Sequence, residues 1–257
     1  APPLRYADAE AGVAIIDFIA ARPISDYPGG AQAAALELAG LSRRLRAAPR
    51  FPDLVDQIDG VDGLLQGVLA TGVCAPDAVA PHLAAWQALK SVYPRTPPAE
   101  RTASHNDCNP NNVLYDGERL WLVDWEAAFA NDPLVDPASI AFWYGVSAEG
   151  EGALLQAAFG DAVDDHLRAR FFLMRLVSQL FNGVLMMMLV AQTRPPGEAP
   201  ITDMSAAPFA QVRAGLATRA LDLGSKEGRM LFAKAALNGV RDAVASPAFE
   251  AAAREVS

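Results

Sequence analysis

A dipeptide near the middle of the chain, Asp116-Gly117, constrains the fold most, because it predicts a tight β-hairpin. It lies between two short runs of alternating apolar residues, 113–115 and 120–123. If the turn closes at this dipeptide, Asn112 lies opposite Trp121 or Leu122, and Asp124 lies roughly 7–10 Å further along the second strand. The pattern therefore predicts that Asn112 and Asp124 share the open end of the hairpin.

The segment before the hairpin, residues 105–111, has to fold back over that open end, and it carries Asp107. Two carboxylates and one side-chain amide are then expected to converge on one small volume. Such oxygen groups suit magnesium, which takes one or two carboxylates and lets substrate phosphates and water complete its octahedron. Protein kinases use this layout for phosphoryl transfer, with one Asp at the attacking hydroxyl and an Asn and a second Asp on the metals.

The formal net charge of −9 limits the range of partners. Nucleic-acid affinity depends mainly on Lys and Arg side chains that neutralise phosphates, so we expect no nucleic-acid partner. Negative potential instead concentrates positive ligands, which favours a cationic substrate, although solubility alone also favours an acidic surface. The hydrophobic share of 52% and the charged share of 20% are ordinary for a soluble globular protein.

No disulfide framework or metal cluster based on Cys or His is indicated. Cys74 and Cys108 are far apart in the sequence and form no CxxC pair. The histidines are too few and too scattered to suggest a metal site, since they stand at His82, His105 and His166.

No membrane span or signal peptide is predicted. The N-terminus has no basic stretch that leads into an apolar core. The strongest apolar run, 171–191, is interrupted by Arg175, Gln179 and Asn182, whereas a span needs about 20 residues with almost no such breaks. We expect this run to form a buried core helix in a cytoplasmic protein that has no membrane partner.

Hydrophobic periodicity predicts an α+β fold made mostly of helices. Residues 13–19 are apolar and β-branched and predict a strand, and residues 23–30 form a loop rich in Pro, Gly, Ser and Asp. Helices are expected over residues 32–47, 78–92, 151–159, 164–193, 204–221, 226–244 and 247–255.

The order of polar residues around the hairpin matches a family signature. The motif comprises His105-Asn106-Asp107, Asn112, Val123-Asp124-Trp125-Glu126, Asp132-Pro133 and Asp136. It resembles the signature of choline and ethanolamine kinases and aminoglycoside phosphotransferases, and its His-Asn-Asp-Cys opening and Asp-Trp-Glu triplet lean toward the choline kinases. Asp136-Pro137-Ala138 stands where the family usually has Asp-Leu-Ala. Asn109 stands where choline kinases often have Gln, which leaves the choline assignment open.

The resemblance implies the C-terminal helical lobe of a protein-kinase-like fold, with a catalytic-loop β-hairpin and a remnant strand of the N-lobe. It implies a phosphotransferase that uses ATP and magnesium and acts on the hydroxyl of a small, amine-bearing molecule. Carried over residue by residue, the resemblance implies Asp107 as catalytic base, Asn112 and Asp124 as metal ligands, and His105 and Asp136 as supports of the catalytic loop.

Four residues after the hairpin are candidates for substrate binding. Glu126 follows Asp124 by two positions on a segment expected to be extended, so both side chains would point the same way. Trp125, Trp143 and Tyr144 are candidates for an aromatic wall around a cation, although aromatic residues after a core strand more often belong to the core. The acceptor stays open among choline, ethanolamine, an aminoglycoside, thiamine and a sugar.

A complete member of the family begins with a smaller lobe that covers ATP and carries a glycine-containing loop and a phosphate-binding lysine. Here Gly29-Gly30 precedes a predicted helix, and the first lysine is Lys90, inside another. We expect residues 1–22 to be the last strand or strands of that lobe with its hinge, and residues 23–257 to be the helical catalytic and substrate lobe. One interpretation is a shortened kinase with weak or no turnover, and the alternative is a naturally short, non-catalytic pseudokinase that binds a small molecule.

A hydrolase that pairs Asp107 with His105 is a third hypothesis, since their spacing of two positions permits contact. It leaves Asn112 and Asp124 unexplained, and the sequence has no Gly-x-Ser-x-Gly nucleophile elbow. The kinase interpretation accounts for more of the motif.

Overall fold

The chain is mostly helical, as the sequence predicts. The structure, a computed structural model, describes residues 1–218 and 220–257, with the backbone alone at residue 217. Its helices are α1 Gly30–Arg46, α2 Gln57–Ala70, α3 Pro76–Val92, α4 Val135–Tyr144, α5 Ala148–Phe159, α6 Asp165–Gln192, α7 Phe209–Ala217, α8 Lys226–Val244 and α9 Pro247–Glu255. Its strands are β1 Leu4–Asp8, β2 Val13–Ile16, β3 Thr102–Ser104, β4 Val113–Tyr115, β5 Leu120–Leu122 and β6 Phe129–Asn131.

The described residues divide into two compact units. The first comprises residues 1–54 and 97–163, and it holds the six strands together with α1, α4 and α5. Its strands form antiparallel pairs, β1 with β2, β3 with β6 and β4 with β5. The second unit comprises residues 55–96 and 164–257 and holds the other helices. The predicted boundary at residue 22 separates residues that correspond to a kinase N-lobe from those of the helical lobe. It stays a prediction.

In the first unit, α1 packs against α4, α5 and β3. Its buried face consists of three alanines and one leucine that are at most 1% exposed, namely Ala34, Ala35, Leu38 and Ala39. Residues three and four apart share one face of a helix, and alanines let the neighbouring elements approach closely. At the end of α1, Arg46 donates to the carbonyl of Ala158. Helix α1 therefore supports β3, the strand that leads directly into residue 105.

The second unit is built around α6, which packs against α2, α3, α8 and α9. Its side chains Phe171, Leu173 and Val177 are fully buried. By length and composition α6 could cross a membrane, but 67% of its most apolar window is buried inside the protein. A core helix of a soluble protein passes the same test, so the membrane signal is weak. The predicted buried core helix is confirmed.

The N-terminal strand pair is larger than predicted. The sequence predicts one strand over 13–19, whereas β2 ends at Ile16 and pairs with β1. The pattern misses β1 because this segment mixes charged and apolar residues and has no β-branched side chain. The apolar side chains of the pair are at least 45% exposed, at Leu4, Tyr6, Val13, Ile15 and Ile16.

Two helices are not predicted by the sequence pattern. Helix α2 contains three glycines among its 14 residues, and each lowers helix propensity by roughly 1 kcal/mol relative to Ala. Asp56 offsets part of this, because its side chain accepts a hydrogen bond from the Ile58 N–H at 2.9 Å and caps the helix. Helix α4 has Pro137 in its first turn, where no helical hydrogen bond is lost.

The other helices agree with the predicted ranges to within three residues at each end, apart from α7. The predicted helix over 204–221 is shorter, because Pro208 stands directly before the first residue of α7. Residue 219 of that prediction lies outside the described residues.

Candidate active site

The predicted hairpin forms, but its register differs from the prediction. The pairing of β4 with β5 puts Asn112 opposite Val123, whose N–H donates to the Asn112 carbonyl at 3.0 Å. The expectation that Asn112 faces Trp121 or Leu122 is therefore wrong by one or two positions. Since Asp124 directly follows Val123, the shift brings Asp124 nearer to Asn112 along the strands than predicted.

The turn explains the shift in register. Gly117 has a φ of 103°, a left-handed conformation that glycine adopts without strain. Oδ1 of Asp116 accepts hydrogen bonds from the N–H groups of Glu118 at 2.8 Å and Arg119 at 2.9 Å. The turn is therefore centred on Gly117-Glu118, one position later than the sequence predicts.

The Asp107 carboxylate is held by two side-chain amides. Asn109 Nδ2 donates to its Oδ1 at 2.9 Å, and Asn112 Nδ2 donates to its Oδ2 at 2.7 Å and to the Asp107 carbonyl at 3.1 Å. Donors on separate oxygens fix the orientation of the half-buried carboxylate, and each oxygen keeps a lone pair for a further donor. A substrate hydroxyl could be that donor.

Asn112 and Asp124 fit the role of magnesium ligands through the oxygens that they leave open. The Asn112 amide is 6% exposed and directs its nitrogen at Asp107, so its Oδ1 is left for another partner. Asp124 is exposed, and within the described residues its carboxylate makes no hydrogen bond. No group of three or more His, Cys, Asp or Glu side chains that could hold a metal occurs in that part of the chain. A magnesium site here would combine one amide, one or two carboxylates and phosphate oxygens.

Two residues of this region have a left-handed backbone that is rare outside glycine. Asn106 has a φ of 64° and Asp124 a φ of 62°, and no other non-glycine residue among those described has a positive φ. Each such conformation costs about 1 kcal/mol, and Asn and Asp tolerate it best. Backbone strain of this kind concentrates at functional sites, because the surrounding structure has to maintain it.

Asp136, in the first turn of α4, binds two successive backbone N–H groups of the loop. The His105 N–H donates to its Oδ2 at 3.0 Å, and the Asn106 N–H donates to its Oδ1 at 2.8 Å. A buried carboxylate is costly unless its oxygens are satisfied, and Asp136 is only 2% exposed. These bonds are the geometry expected of a loop support, which is the role predicted for Asp136.

The His105 ring is fully buried. Its Nε2 lies 2.9 Å from the Val123 carbonyl, so Nε2 is the nitrogen that donates, and its ring centroid lies 4.6 Å from that of Trp125. Among the described residues, no hydrogen bond joins His105 to Asp107, whose carboxylate is bonded to two amides. The hydrolase hypothesis therefore lacks its acid–base pair.

The segment after Asp124 is a turn and not the extended segment that the sequence predicts. The Ala128 N–H donates to the Trp125 carbonyl at 3.1 Å, and Asp124 itself is left-handed. The alternation of side chains along a strand therefore does not apply here, and the expectation that Glu126 and Asp124 point the same way has no support. Glu126 is nevertheless exposed and makes no hydrogen bond among the described residues. The half-buried Trp125 uses its Nε1 to donate to the Leu122 carbonyl at 3.1 Å.

The two aromatic candidates on α4 differ in exposure. Trp143 is half-buried, whereas Tyr144 is 6% exposed, and its hydroxyl has no hydrogen bond among the described residues. Burial raises the pKa of Tyr144, and burial likewise raises the pKa of the Cys108 thiol well above its usual value. Tyr144 therefore lies in the core, which was the alternative for these rings. Cys108 is protonated and has no role in the proposed site.

Sequence reasoning missed three asparagines of this region as site residues. Asn109 fixes one oxygen of Asp107, and Asn106 takes the left-handed conformation described above. Asn131 is fully buried, and its Nδ2 donates to Asn106 Oδ1 at 2.9 Å. The clustering of Asn in and after the motif is the only signal in the sequence, and single Asn residues more often form turns or caps.

Solved structures that share this fold include choline kinase LicA and a choline/ethanolamine kinase family protein. A choline/ethanolamine kinase family protein from Mesorhizobium loti matches with a TM-score of 0.69 at 21% identity, over 99% of this chain and 78% of that chain. Choline kinase LicA from Streptococcus pneumoniae matches with a TM-score of 0.57 at 17% identity, over 77% and 69%. LicA in complex with AMP matches with the same TM-score, over 88% and 73%. At these identities the likeness establishes the fold, which is the predicted protein-kinase-like fold in its helical part.

The chain belongs to the phosphotransferase enzyme family, whose model matches residues 3–172. Among curated proteins, protein LicA of Haemophilus influenzae is 42% identical over 52 residues, which are 20% of this chain and 20% of LicA. A second LicA sequence from that species matches over 15% of its length. The matches thus span a fifth or less of these curated relatives. The resemblance inferred from the motif is confirmed.

Proposed function

We propose that the chain provides the catalytic centre of an ATP- and magnesium-dependent phosphotransferase that acts on the hydroxyl of a small, amine-bearing molecule. The observation that carries the proposal is the Asp107 carboxylate, whose oxygens are oriented by Asn109 and Asn112 beside the open end of the hairpin. Membership of the phosphotransferase enzyme family supports the reaction class. The kinase-like structure that contains AMP supports an adenine nucleotide as the phosphate donor.

In the proposed reaction, Asp107 accepts the proton of the acceptor hydroxyl as that oxygen attacks the γ-phosphorus of ATP, and ADP leaves. Because two amides already orient the carboxylate, little reorganisation is needed when the hydroxyl arrives. Asn112 Oδ1 and Asp124 would hold magnesium, which neutralises charge on the phosphates. His105 and Asp136 act through the loop backbone and do not touch the substrate.

The amine of the acceptor is proposed to face Glu126, with the half-buried rings of Trp125 and Trp143 as neighbours. Glu126 is an exposed carboxylate without a hydrogen-bond partner among the described residues. A cation over an indole face gains about 1 kcal/mol at an exposed site, and the net charge of −9 favours cations in general. Titration with choline and with an aminoglycoside tests this part, and binding of neither would remove the cationic substrate.

We further propose that residues 1–22 correspond to the last strands and hinge of a kinase N-lobe, and that residues 23–257 form the catalytic and substrate lobe. The exposed apolar side chains of β1 and β2 support this, because strands of a larger sheet carry such side chains. Weak or no turnover is expected from the 257-residue chain alone. The cytoplasm, where ATP and magnesium are available, is the proposed location.

A panel of acceptors assayed for ADP release tests the proposed function. Choline, ethanolamine, an aminoglycoside, thiamine and a sugar are tested with the product of the complete gene and with the 257-residue chain. One acceptor should stimulate ADP release, and chelation of magnesium should abolish it. Asn112→Ala should lower the rate and raise the magnesium requirement together. Asn182→Ala, at a buried Asn of the second unit that is also 6% exposed, is the matched control. A rate unaffected by Asn112→Ala contradicts the proposal.

A non-catalytic pseudokinase that binds a small molecule is the second candidate. It is favoured by the ion pair that Lys90, in α3, forms with Asp62. This lysine is therefore occupied inside the second unit. If the product of the complete gene binds an acceptor of the panel but releases no ADP with any of them, the pseudokinase is the better description.

A further inference from the structure

Two asparagines that take no part in the proposed chemistry connect the loop that carries Asp107 with the segment that carries Asp124. We infer that Asn106 and Asn131 are positioning residues. Asn131 orients the amide of Asn106, and Asn106 holds the loop that carries Asp107 in a fixed place relative to the segment that carries Asp124. The inference rests on the proposed function, in which Asp107 is the base and Asp124 a metal ligand.

The Asn106 side chain joins the two segments directly. Its Nδ2 donates to the Ala127 carbonyl at 2.8 Å and lies 3.3 Å from the Phe129 carbonyl. Asn106 is adjacent to Asp107, and Ala127 follows Asp124 by three positions. One amide therefore bridges the loop before the hairpin and the turn after it.

With this bridge, hydrogen bonds from the loop fix both ends of the turn. At its start, His105 Nε2 donates to the Val123 carbonyl at 2.9 Å, and at its end the Asn106 amide binds Ala127. Asp124 lies between these two points, in a left-handed conformation with a φ of 62°. Strained backbone persists only where its surroundings maintain it, and these two hydrogen bonds fix the backbone on either side of Asp124.

Asn131 determines which way the Asn106 amide points. Its Oδ1 accepts from the Asp132 N–H at 2.9 Å, which leaves its Nδ2 to donate to Asn106 Oδ1 at 2.9 Å. Because Asn106 then presents oxygen to Asn131, it must present nitrogen to Ala127. The hydrogen bonds have one consistent direction from Asp132 through both amides, and Asn131 is fully buried at the end of β6.

The backbone of Asn106 makes glycine the informative substitution. Asn106 has a φ of 64°, which glycine adopts freely but alanine does not. Its N–H donates to Asp136 at 2.8 Å, and glycine keeps that bond. Asn106→Gly therefore removes the amide bridge and leaves the backbone geometry possible. Asn131→Leu removes the amide that orients Asn106 while roughly keeping the side-chain size.

Amide hydrogen exchange tests the inference without relying on turnover. The probes are the His105 N–H, which donates to Asp136, and the Ala128 N–H, which donates to the Trp125 carbonyl. We expect Asn106→Gly and Asn131→Leu each to speed exchange at both probes by about tenfold, since each removes at least one part-buried hydrogen bond. Asn182→Ala, which removes a hydrogen bond to the Ser178 carbonyl in the second unit, should change neither.

The double variant Asn106→Gly/Asn131→Leu tests whether Asn131 acts through Asn106. If it does, the double variant exchanges within about twofold of Asn106→Gly alone, because the amide that Asn131 orients is already gone. The inference would be overturned if the accelerations of the two single variants multiplied in the double variant. It would also be overturned if Asn131→Leu left exchange unchanged, or if Asn182→Ala accelerated exchange as much as the other variants. Asn106→Gly keeps the test decisive if the buried Asn131→Leu variant does not fold.

Kinetics with the product of the complete gene provide the second readout. Both single variants should lower kcat by about tenfold and leave KM for the acceptor unchanged, because misplaced reacting groups weaken the transition state more than substrate binding. A change confined to KM would overturn the positioning role. Failure of the proposed function would look different, since Asp107→Asn would then leave ADP release unchanged whatever the exchange rates show.

Discussion

The segment from β3 to Asp136 and the helix pair α6 and α8 are stabilised in different ways. In the first, buried polar side chains hold a loop and two strained residues, and six of them are at most 6% exposed, Ser104, His105, Asn112, Asn131, Asp132 and Asp136. In the second, the buried side chains are almost all apolar, among them Phe171, Leu173, Met174, Val177, Phe232 and Val240. Buried polar networks specify geometry, whereas apolar packing provides most of the free energy of folding.

The difference indicates where chemistry and stability reside. Strain at Asn106 and Asp124 reduces stability, and strain of this kind concentrates at functional sites. The family match ends at residue 172, which is early in α6, and it covers the first unit from residue 3 onward. Substitution of the half-buried Asp107 in the polar segment should therefore change activity more than stability, and substitutions in the helix pair should do the reverse.

The largest effect is expected from Asp107→Asn. The amide keeps the shape of the side chain but cannot accept the proton of the acceptor, so kcat should fall by about 1000-fold. Asp107 is half-buried, so the free energy of unfolding should change by less than about 1 kcal/mol. ADP release and urea denaturation of the same preparations measure both quantities. Loss of activity that merely follows unfolding would break the contrast between the two regions.

Leu173→Ala probes the apolar side of the comparison. Leu173 is fully buried in α6, and its truncation should lower the free energy of unfolding by about 3 kcal/mol through lost burial and a cavity. Leu231→Ala in α8 is the matched control, because Leu231 is 37% exposed and should change stability by less than about 1 kcal/mol. In both variants kcat of the folded fraction should stay unchanged, and a fall in kcat would contradict the separation.

Asp136→Asn tests the buried support of the loop. An amide offers one acceptor oxygen to the two N–H groups of His105 and Asn106, so one of them loses its partner. The free energy of unfolding should fall by about 2 kcal/mol, and exchange of the His105 N–H should accelerate. Asp161→Asn, at an exposed carboxylate, serves as the control and should leave both quantities unchanged. Normal protection of the loop in Asp136→Asn would show that other contacts hold it.

The smallest effect concerns Asp116 in the hairpin turn. Hydrogen bonds from Trp121 Nε1 and from the Arg119 and Glu118 N–H groups lower the pKa of Asp116 to about 2. Because the folded pKa is below the unfolded value of about 3.9, the stabilisation is present above about pH 4 and is lost as the pH falls toward 2. Asp116→Asn should remove this dependence. Denaturation curves between pH 5 and pH 2, compared with the parent chain, measure it, and identical slopes would contradict the assignment.

The fold could be predicted where local signals suffice. Periodicity found most helices, and the Asp-Gly signal found the hairpin. Periodicity missed α2, because the glycines of this helix mask the helical pattern although Asp56 caps the helix. It also missed the register of the hairpin, because the side chain of Asp116 binds N–H groups beyond the dipeptide and shifts the turn by one position.

The candidate site divides in the same way. Asp107, Asn112 and Asp124 follow from a motif with fixed spacing, because the hairpin that joins them is local. The partnership of Asn106 with Asn131 spans 25 positions and depends on the pairing of β3 with β6, which no spacing reveals. The sequence does not indicate the left-handed conformation of Asp124 either. For that reason the expectation that the Glu126 and Asp124 side chains point the same way was wrong.

Asp107, Asn112 and Asp124 are proposed to form one metal-dependent centre. Anomalous scattering from a crystal of the protein grown with Mn²⁺ and ADP tests it most directly, since Mn²⁺ takes the same oxygen ligands as magnesium. We expect a peak at about 2.2 Å from Asn112 Oδ1 and from a carboxylate oxygen of Asp124, with Asp107 facing the nucleotide. A nucleotide-bound crystal with the ion coordinated elsewhere, and neither of these residues in contact with it, would contradict the account.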